Sequence, residues 1–155
     1  MSNQNSKNIV QLEIECPISE IDSTIITALE GGSNYWYNLN HNDISKAKAW
    51  LQEKIVKGEL KRNPEVHYEF MDAIYNGYKD GIRVYDINEM THDEDYNEDN
   101  YLGVITMDKI MEGLKECALQ DNKNFSQHFP EYDNGDSCSA DVVFQYIVMK
   151  DCIFG

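Results

Sequence analysis

Carboxylates that stand beside aromatic side chains are the residues of this chain that could do chemistry or hold a ligand. In the stretch ITALEGGSNYWYN, Glu30 precedes Gly31 and Gly32, and Tyr35 and Trp36 follow them. Glu30 would lie in the last turn of a helix, where the helix dipole makes a carboxylate unfavourable by a few tenths to about 1 kcal/mol. A compensating partner or a ligand is therefore expected at Glu30, and the turn is a candidate ligand site.

The glycine pair does not match a phosphate-binding loop. A Walker loop needs Lys and Ser or Thr at set positions, and a dinucleotide loop needs a strand before its glycines. Here a helix precedes the glycines, and the C-terminus of a helix carries a negative partial charge that repels phosphate. Gly31 is instead expected at the C′ position with a positive φ, which would let Trp36 pack in the core. A ligand-stacking wall made of Tyr35, Trp36 and Tyr37 stays open beside this interpretation.

A second candidate site is the acidic stretch from Glu89 to Asn100. It does not match the calcium loop of EF-hand proteins, because Glu98 stands at the glycine position and Val104 at the final glutamate position. A charge run is most often a solvated loop, and the alternative is a decoy for a channel lined with Lys and Arg. The residues predicted to bind such a partner are Asp93, Glu94, Asp95, Glu98 and Asp99.

No catalytic arrangement stands out among the nucleophiles and histidines. The four histidines are far apart in the chain, and no Ser or Cys can be singled out with a His and an Asp. The four cysteines form no C-x-x-C pair and match no zinc-site spacing. We therefore expect no catalytic residue, metal or cofactor, although a small enzyme with Glu30 and Asp141 as its carboxylates stays open.

Hydrophobic periodicity predicts an α+β fold with four or five helices and a small sheet. Residues 1–8 are expected to be disordered, and residues 9–155 to form a single domain. Helices are predicted near residues 19–30, 44–57, 64–76, 107–120 and 139–150, and strands near 9–15, 82–87 and 101–105. The predicted helix starts are Ser19, Asn42 or Asp43, Pro64, Thr106 and Ser139. His67 is expected to pack within the third helix.

The charge of the chain limits the partners it can have. Its 155 residues include 28 acidic and 13 basic ones, a formal net charge of −15. Such a charge repels phosphate backbones, so direct nucleic-acid binding is not expected, and a protein with a basic surface is the natural partner. No run reaches the roughly 18 apolar residues of a membrane span, and the polar first residues lack a signal-peptide core. A cytoplasmic location is therefore expected, and a homo-oligomer stays open.

Three blocks of the sequence carry a recognisable pattern. They contain Leu29, Glu30, Gly31, Gly32, Tyr35 and Trp36, then VITMDKIMEGLK at 104–115, then Ala140, Asp141, Gln145, Phe154 and Gly155. This pattern resembles a family of small phage and mobile-element proteins of unassigned role. Their first helix ends in a Gly-Gly-x-x-Tyr-Trp turn, and their last helix, with a central Gln, closes on an aromatic-Gly terminus. The ending VMKDCIFG departs from the family's more apolar segment. The resemblance implies a viral protein in the cytoplasm of a host cell.

Charge, size, the lack of a catalytic arrangement and the resemblance together predict a small acidic phage-type accessory protein that acts by binding. Its expected action is to inhibit a host defence or regulatory factor, in the manner of an anti-CRISPR or other anti-defence protein. One alternative is a nucleotide or small-ligand sponge that uses the turn from Tyr35 to Tyr37. The other is the small enzyme that uses Glu30 and Asp141.

Overall fold

The α+β architecture predicted from the sequence is the one observed. The computed structural model describes residues 13–92, 95–130 and 135–155. Within these ranges the chain forms six α-helices and one three-stranded antiparallel sheet. Residues 1–8, predicted to be disordered, lie outside the described ranges, as does most of the predicted strand at 9–15; residues 13–15 are not in a strand.

The elements follow one another along the chain in a mixed order. The helices are α1 (Ile18–Thr27), α2 (His41–Val56), α3 (Glu69–Tyr75), α4 (Met107–Gln120), α5 (Asn122–Phe125) and α6 (Ser137–Met149). The strands are β1 (Tyr37–Leu39), β2 (Ile82–Asp86) and β3 (Tyr101–Ile105). The single-turn α5 brings the helix count above the predicted four or five.

The sheet places β2 between β1 and β3, and both pairings are antiparallel. Leu39 pairs with Val84 across β1 and β2, and Ile82 pairs with Ile105 across β2 and β3. Ile82 and Val84 are buried and Arg83 between them is exposed, as expected for a strand with one face on the core. The three-residue β1 was not predicted, because so short a strand shows no measurable alternation.

Helix α6 forms the centre of the core. It contacts α1, α4, α5 and β3, and the side chains of Phe144 and Ile147 are almost completely buried. At Gly113 of α4, an added Cβ would lie 2.3 Å from the Ile147 Cα, so the two helix backbones approach closely there. A helix that is apolar on nearly every side needs such neighbours all round it.

The first two helices begin at positions that the sequence did not predict. Helix α1 follows Pro17, which makes no side-chain cap, so Ser19 lies inside the helix rather than capping it. The cap of α2 is Asn40, whose side chain accepts from the amides of Asn42 and Asp43 at 3.0 and 3.1 Å. For α2, several polar residues stand near the start, and the sequence alone does not show which one turns its oxygen to the free amides.

The caps of α4 and α6 give one confirmation and one correction. Thr106 caps α4 by accepting from the Lys109 amide at 3.1 Å, as predicted. Helix α6 is capped by Asp136 and not by Ser139, which stands three residues later. The two residues form a reciprocal capping box, since Asp136 accepts from the Ser139 amide at 2.8 Å and the Ser139 hydroxyl accepts from the Asp136 amide at 2.9 Å.

The predicted helix start at Pro64 is wrong, because the chain there wraps around the guanidinium group of Arg62. Arg62 donates to the Asp72 carboxylate at 2.9 Å and to the Val66 carbonyl at 2.8 Å. Asp72 is buried, so leaving its carboxylate without donors would cost more free energy than losing the helical hydrogen bonds of residues 64–68. Helix α3 therefore starts only at Glu69, and His67 lies before it rather than packed within it.

His128 connects two helices through the interior. Its ring is fully buried, with Nδ1 3.2 Å from the Thr24 hydroxyl of α1 and Nε2 2.7 Å from the Ser139 hydroxyl of α6. An added Cβ at Gly135 would lie 2.3 Å from the ring, so no larger residue fits there without a shift. Burial lowers the pKa of His128, because the enclosed ring loses the water that stabilises its charged form.

This lowered pKa predicts a loss of stability in mild acid. The unfolded chain takes up a proton at His128 near its ordinary pKa of about 6.5, and the folded protein resists it. The stabilisation is complete above that pH and is lost as the pH falls below it. We expect the free energy of unfolding, from urea titrations, to decrease less between about pH 7.5 and about pH 5.5 in His128→Gln than in the wild type. His41→Gln, at an exposed site, is the control. If the unfolding free energy of His128→Gln falls over this pH range as much as that of the wild type and of His41→Gln, the expectation is contradicted.

Candidate functional site

The turn at Gly31 and Gly32 is a π-helical extension of α1. Ala28–Gly32 form this turn, and the Ser33 amide donates to the Ala28 carbonyl across 2.7 Å. Gly31 does not have a positive φ, so the predicted C′ position is wrong. The chain continues into a wider helical turn instead of stopping, and turns of this type are frequent at functional sites.

Gly32, and not Gly31, is the glycine that the packing requires. A Cβ at Gly32 would lie 2.0 Å from the carbonyl oxygen of Ser137 and 3.3 Å from the Cβ of Asp141. A Cβ at Gly31 would meet only the Ser137 Cβ, at an ordinary 3.9 Å. The first turn of α6 therefore rests directly on the backbone of Gly32, which brings Asp141 to the aromatic turn.

The carboxylate of Asp141 is the centre of this site. Its Oδ1 accepts from the Ser33 hydroxyl and from Nε1 of Trp36, both at 2.7 Å. Its Oδ2 accepts from the Tyr35 hydroxyl at 2.7 Å and from the Gln145 amide at 3.1 Å. Asp141 is only 7% exposed, so these four donors replace the water that a carboxylate would otherwise bind.

Gln145 extends the network from Asp141 to the C-terminal tail. Its Oε1 accepts from the backbone amides of Ile153 and Phe154 at 3.0 and 2.8 Å, and its Nε2 donates to the Phe154 carbonyl at 3.0 Å. The side-chain amide thus holds the tail much as a neighbouring strand would. The two outer blocks of the family-like pattern, 105 residues apart at Trp36 and Asp141, form a single structure.

Trp36 is enclosed by this structure, as the packing interpretation predicts. It has no exposed surface, and its ring stacks on Phe154 at 5.2 Å with an interplanar angle of 8°. Phe144 of α6 lies 5.5 Å away. Because neighbouring rings cover Trp36, it offers no free face to a ligand in this conformation.

The two tyrosines of the turn act mainly as hydrogen-bond donors. Tyr35 is 44% exposed, and burial around its hydroxyl, together with the Asp141 carboxylate, raises its pKa. Tyr37 donates to the Leu29 carbonyl, and burial, with smaller effects from Tyr68 and Glu30, raises its pKa to about 12. Both hydroxyls therefore keep their protons at neutral pH and hold the turn in place.

Glu30 finds its compensating partners outside the turn. Its Oε1 accepts from the Tyr68 hydroxyl at 2.9 Å and lies 3.1 Å from Nε2 of His67. Its side chain is half exposed. The sequence predicted a partner for Glu30 but not these two, because residues 37 and 38 positions away carry no local signal. No ligand is needed to explain the carboxylate.

Glu30 and Asp141 do not form a catalytic pair of carboxylates. Glu30 is bound to Tyr68 and lies beside His67, whereas Asp141 is bound within the turn and α6. General acid–base catalysis needs a carboxylate that a substrate can reach. Asp141 is buried and already accepts four hydrogen bonds, so it does not meet this condition.

The two arginines of the chain are also used internally. Arg62 binds the buried Asp72, and Arg83 forms two parallel hydrogen bonds with Asp43, at 2.8 and 2.9 Å. Burial acts to raise the pKa of Asp43, but the hydrogen bonds and charge of Arg83 outweigh it, and the pKa is lowered. Sequence reasoning missed both pairs, although a chain with 28 acidic residues and only two arginines suggests specific partners for them.

A further buried carboxylate joins α1 to the segment around α3. Asp22 is almost fully buried and accepts from the Tyr75 hydroxyl at 2.9 Å and from the His67 amide at 3.0 Å. Burial and the neighbouring carboxylate raise the pKa of Tyr75, so the tyrosine remains a donor. Sequence reasoning missed this role of Asp22, because its partners lie 45 and 53 positions away in the chain.

The acidic loop is anchored at its base and presents carboxylates to solvent. Asp93 and Glu94 lie outside the described residues, whereas Asp95, Glu98 and Asp99 are described. The anchors are Tyr96, whose hydroxyl donates to the Leu39 carbonyl at 3.1 Å, and the buried Asn100, which donates to the Asp95 carbonyl at 2.8 Å. Glu98 and Asp99 are exposed. Asp95 accepts a hydrogen bond from the Thr91 hydroxyl at 2.8 Å, which lowers the pKa of Asp95.

The described residues contain neither a metal-type cluster nor a membrane-spanning helix. In residues 13–92, 95–130 and 135–155, no three His, Cys, Asp or Glu side chains are grouped as they would be around a metal ion. In the same ranges, no helix combines the length and the apolar character needed to cross a membrane.

Comparisons with protein-family models, curated proteins and solved structures gave no match.

The contrast between the two glycines predicts different effects of the same substitution. Gly32→Ala should lower the free energy of unfolding by about 1–3 kcal/mol, because the added Cβ meets the Ser137 backbone. Gly31→Ala should be neutral or stabilising by about 0.5–1 kcal/mol, since Ala restricts the unfolded chain. Urea denaturation of the two variants measures the difference, and equal losses would refute the assignment of Gly32 as the contact point.

The donor set of Asp141 predicts the effect of changing one oxygen to an amide. In Asp141→Asn, the remaining oxygen is expected to face Ser33 and Trp36, because the buried Trp36 N–H can only donate, whereas the Tyr35 hydroxyl on the other side can also accept. The new NH₂ group would then lie against the Gln145 amide. Gln145 cannot turn over to accept, because its oxygen already binds the tail amides of Ile153 and Phe154. We expect a loss of about 1–3 kcal/mol in unfolding free energy and faster hydrogen exchange at those two amides.

The matched control for this variant is Tyr35→Phe. It removes one donor from Asp141 but leaves the Gln145 contact in place, so the tail amides should remain protected. Tail exchange that is as slow in Asp141→Asn as in Tyr35→Phe would show that the carboxylate does not hold the tail through Gln145.

Proposed function

We propose that this protein is a small acidic phage-type accessory protein that binds a basic surface on a host defence or regulatory factor and inhibits it. The observation that carries this proposal is the acidic loop, in which Glu98 and Asp99 are exposed and the neighbouring Tyr96 and Asn100 anchor the backbone. A charged surface on a fixed backbone attracts an oppositely charged partner with little loss of conformational entropy.

The distribution of positive charge supports the same proposal. The chain has 13 basic and 28 acidic residues, and its two arginines already bind Asp72 and Asp43. Arginine is the side chain best suited to clamp phosphate, so a nucleic acid or nucleotide finds few groups here to bind it. A protein partner with clustered Lys and Arg meets no such obstacle.

The phage-type assignment is supported by the residues that carry the resemblance. Gly32, Trp36, Asp141, Gln145 and Phe154 contact one another in a continuous network. A shared pattern of residues that must fit together is more informative than the same residues scattered over the chain. The assignment to a host defence or regulatory target follows from this resemblance together with the charge.

The sponge and enzyme alternatives receive less support from the site geometry. Trp36 is stacked against Phe154 and has no exposed surface, so the proposed aromatic wall lacks its central ring. Asp141 already accepts four hydrogen bonds, which leaves Glu30 without a second carboxylate. A nucleotide sponge also does not explain the strong negative charge.

The test is to capture a partner from a bacterial lysate, purify it and measure its association rate with the wild type and a loop variant. In the variant, Asp93, Glu94, Asp95, Glu98 and Asp99 are changed to Asn or Gln. We expect association to slow by about tenfold or more at low salt, because long-range attraction raises the association rate. The wild-type rate should fall as salt shortens the Debye length to about 8 Å, and the variant rate should change little.

The matched control neutralises five exposed acids elsewhere, at Glu53, Glu59, Glu65, Glu69 and Asp80. It removes the same net charge, so it separates a specific contribution of the loop from a general effect of charge. Equal rates for the loop variant and this control would assign the attraction to overall charge alone. Capture of acidic proteins only, or a partner whose activity is unchanged in the complex, would refute the proposal.

A further inference from the structure

An apolar groove lies between the face of α4 and the chain leading into α1. Its volume is about 600 Å³, and its walls include Ile14 and Ile18 on one side and Met107, Met111 and Leu119 on the other. Ile14, Met111 and Leu119 are 50%, 53% and 69% exposed. Large apolar side chains that are exposed singly need no explanation, but three that line one concave surface make the groove a candidate interaction site.

The shape and composition of the groove favour a helix as its occupant. Helix α4 has 14 residues and is therefore about 21 Å long, enough to lie along several turns of a partner helix. Amphipathic helices bind such grooves through apolar residues at positions i, i+3, i+4 and i+7. Met107 and Met111 on the groove wall can adapt to different partner side chains, because methionine is flexible and unbranched.

The charges at the groove select the kind of helix. Glu13 and Glu15 flank Ile14 on one wall, Asp108 follows Met107 on the other, and all three carboxylates are exposed. Within the described residues, Lys115 is the one charged side chain that lines the groove itself. Three exposed carboxylates that are chain neighbours of groove residues, against the one lysine in its lining, favour a partner helix that carries positive charge beside its apolar strip.

We infer that this groove binds an amphipathic helix of a partner protein, with the apolar face of the helix in the groove and Lys or Arg along its flanks. The inference rests on the proposed function, because it specifies how a basic partner would be held once the negative surface has attracted it. The groove would supply apolar contact, which mainly slows dissociation, whereas the acidic loop would speed association.

The probe for this inference is a fluorescein-labelled synthetic helical peptide of about 18 residues, with Leu at i, i+3, i+4 and i+7 and Lys on both flanks. Titration with the full-length protein, followed by fluorescence anisotropy, should give saturable binding. The same peptide with Glu on its flanks should bind at least about tenfold more weakly at low salt. Equal affinity of the two peptides, or no saturation with either, would overturn the inference.

The matched variants change exposed side chains only. Met111→Ser with Leu119→Ser should weaken the Lys-flanked peptide by about tenfold or more, because apolar contact in the groove is lost. Val56→Ser with Ile153→Ser is the control, since these residues are also exposed but do not line the groove, and it should stay within about twofold of wild type. Circular dichroism checks that both double variants fold, and equal losses of affinity in the two would overturn the inference.

Two other occupants would also overturn it, and each has a distinct result. If deletion of residues 1–12 raises peptide affinity by about tenfold or more, the groove belongs to the protein's own N-terminal segment. If sedimentation shows a dimer that the Met111→Ser, Leu119→Ser variant loses, the occupant is a second copy of the chain.

Failure of the inference and failure of the proposed function can be told apart. A captured host partner that depends on the acidic loop but not on Met111 and Leu119 would refute the groove and leave the function standing. Selective binding of the Lys-flanked peptide, without inhibition of any host factor, would leave the groove standing and refute the function.

Discussion

The buried carboxylate of Asp141 is the interaction on which the rest of this structure depends. Removing a charged group from water is costly unless hydrogen bonds replace the lost solvent. Ser33, Tyr35 and Trp36 supply three donors from the turn after α1, and Gln145 supplies a fourth from α6 itself. To bring them together, the turn must adopt its π-helical path and Gly32 must lie against α6 without a side chain. The tail then docks on Gln145 and Trp36.

Asp141 holds the structure together and is therefore not available to a substrate or ligand. The residue types that looked able to catalyse or to hold a ligand are bound to other parts of the protein: Trp36 in the core, Asp141 in its donor set and both arginines in ion pairs. The features that stay accessible on the described surface include the acidic loop, anchored through Tyr96 and Asn100, and an apolar groove beside α4. Long-range attraction and short-range apolar contact are the two contributions that a protein interface combines.

The parts of the fold that were predictable are those decided by local pattern. The strands at Ile82–Asp86 and Tyr101–Ile105 and the helix capped by Thr106 were expected, because side-chain alternation, helical spacing and a capping hydroxyl are all visible in a few consecutive residues. The start of α3 was not, because it depends on Arg62 reaching Asp72 and on the burial of that carboxylate. The cap of α6 was assigned to Ser139, three residues too late, because both members of a capping box look like caps in a sequence.

By itself the sequence determined the fold class, the strong negative charge and the two unusual blocks around Trp36 and Asp141. It did not show that these blocks meet, because a hydrogen bond between residues 105 positions apart leaves no periodic trace in either segment. Only the tertiary structure decided that Gly32 rather than Gly31 is the constrained glycine, and that Glu30 is held by Tyr68 and His67. The physical reason is the same in each case: local geometry sets which conformations a segment can adopt, and the neighbours it meets on folding select one of them.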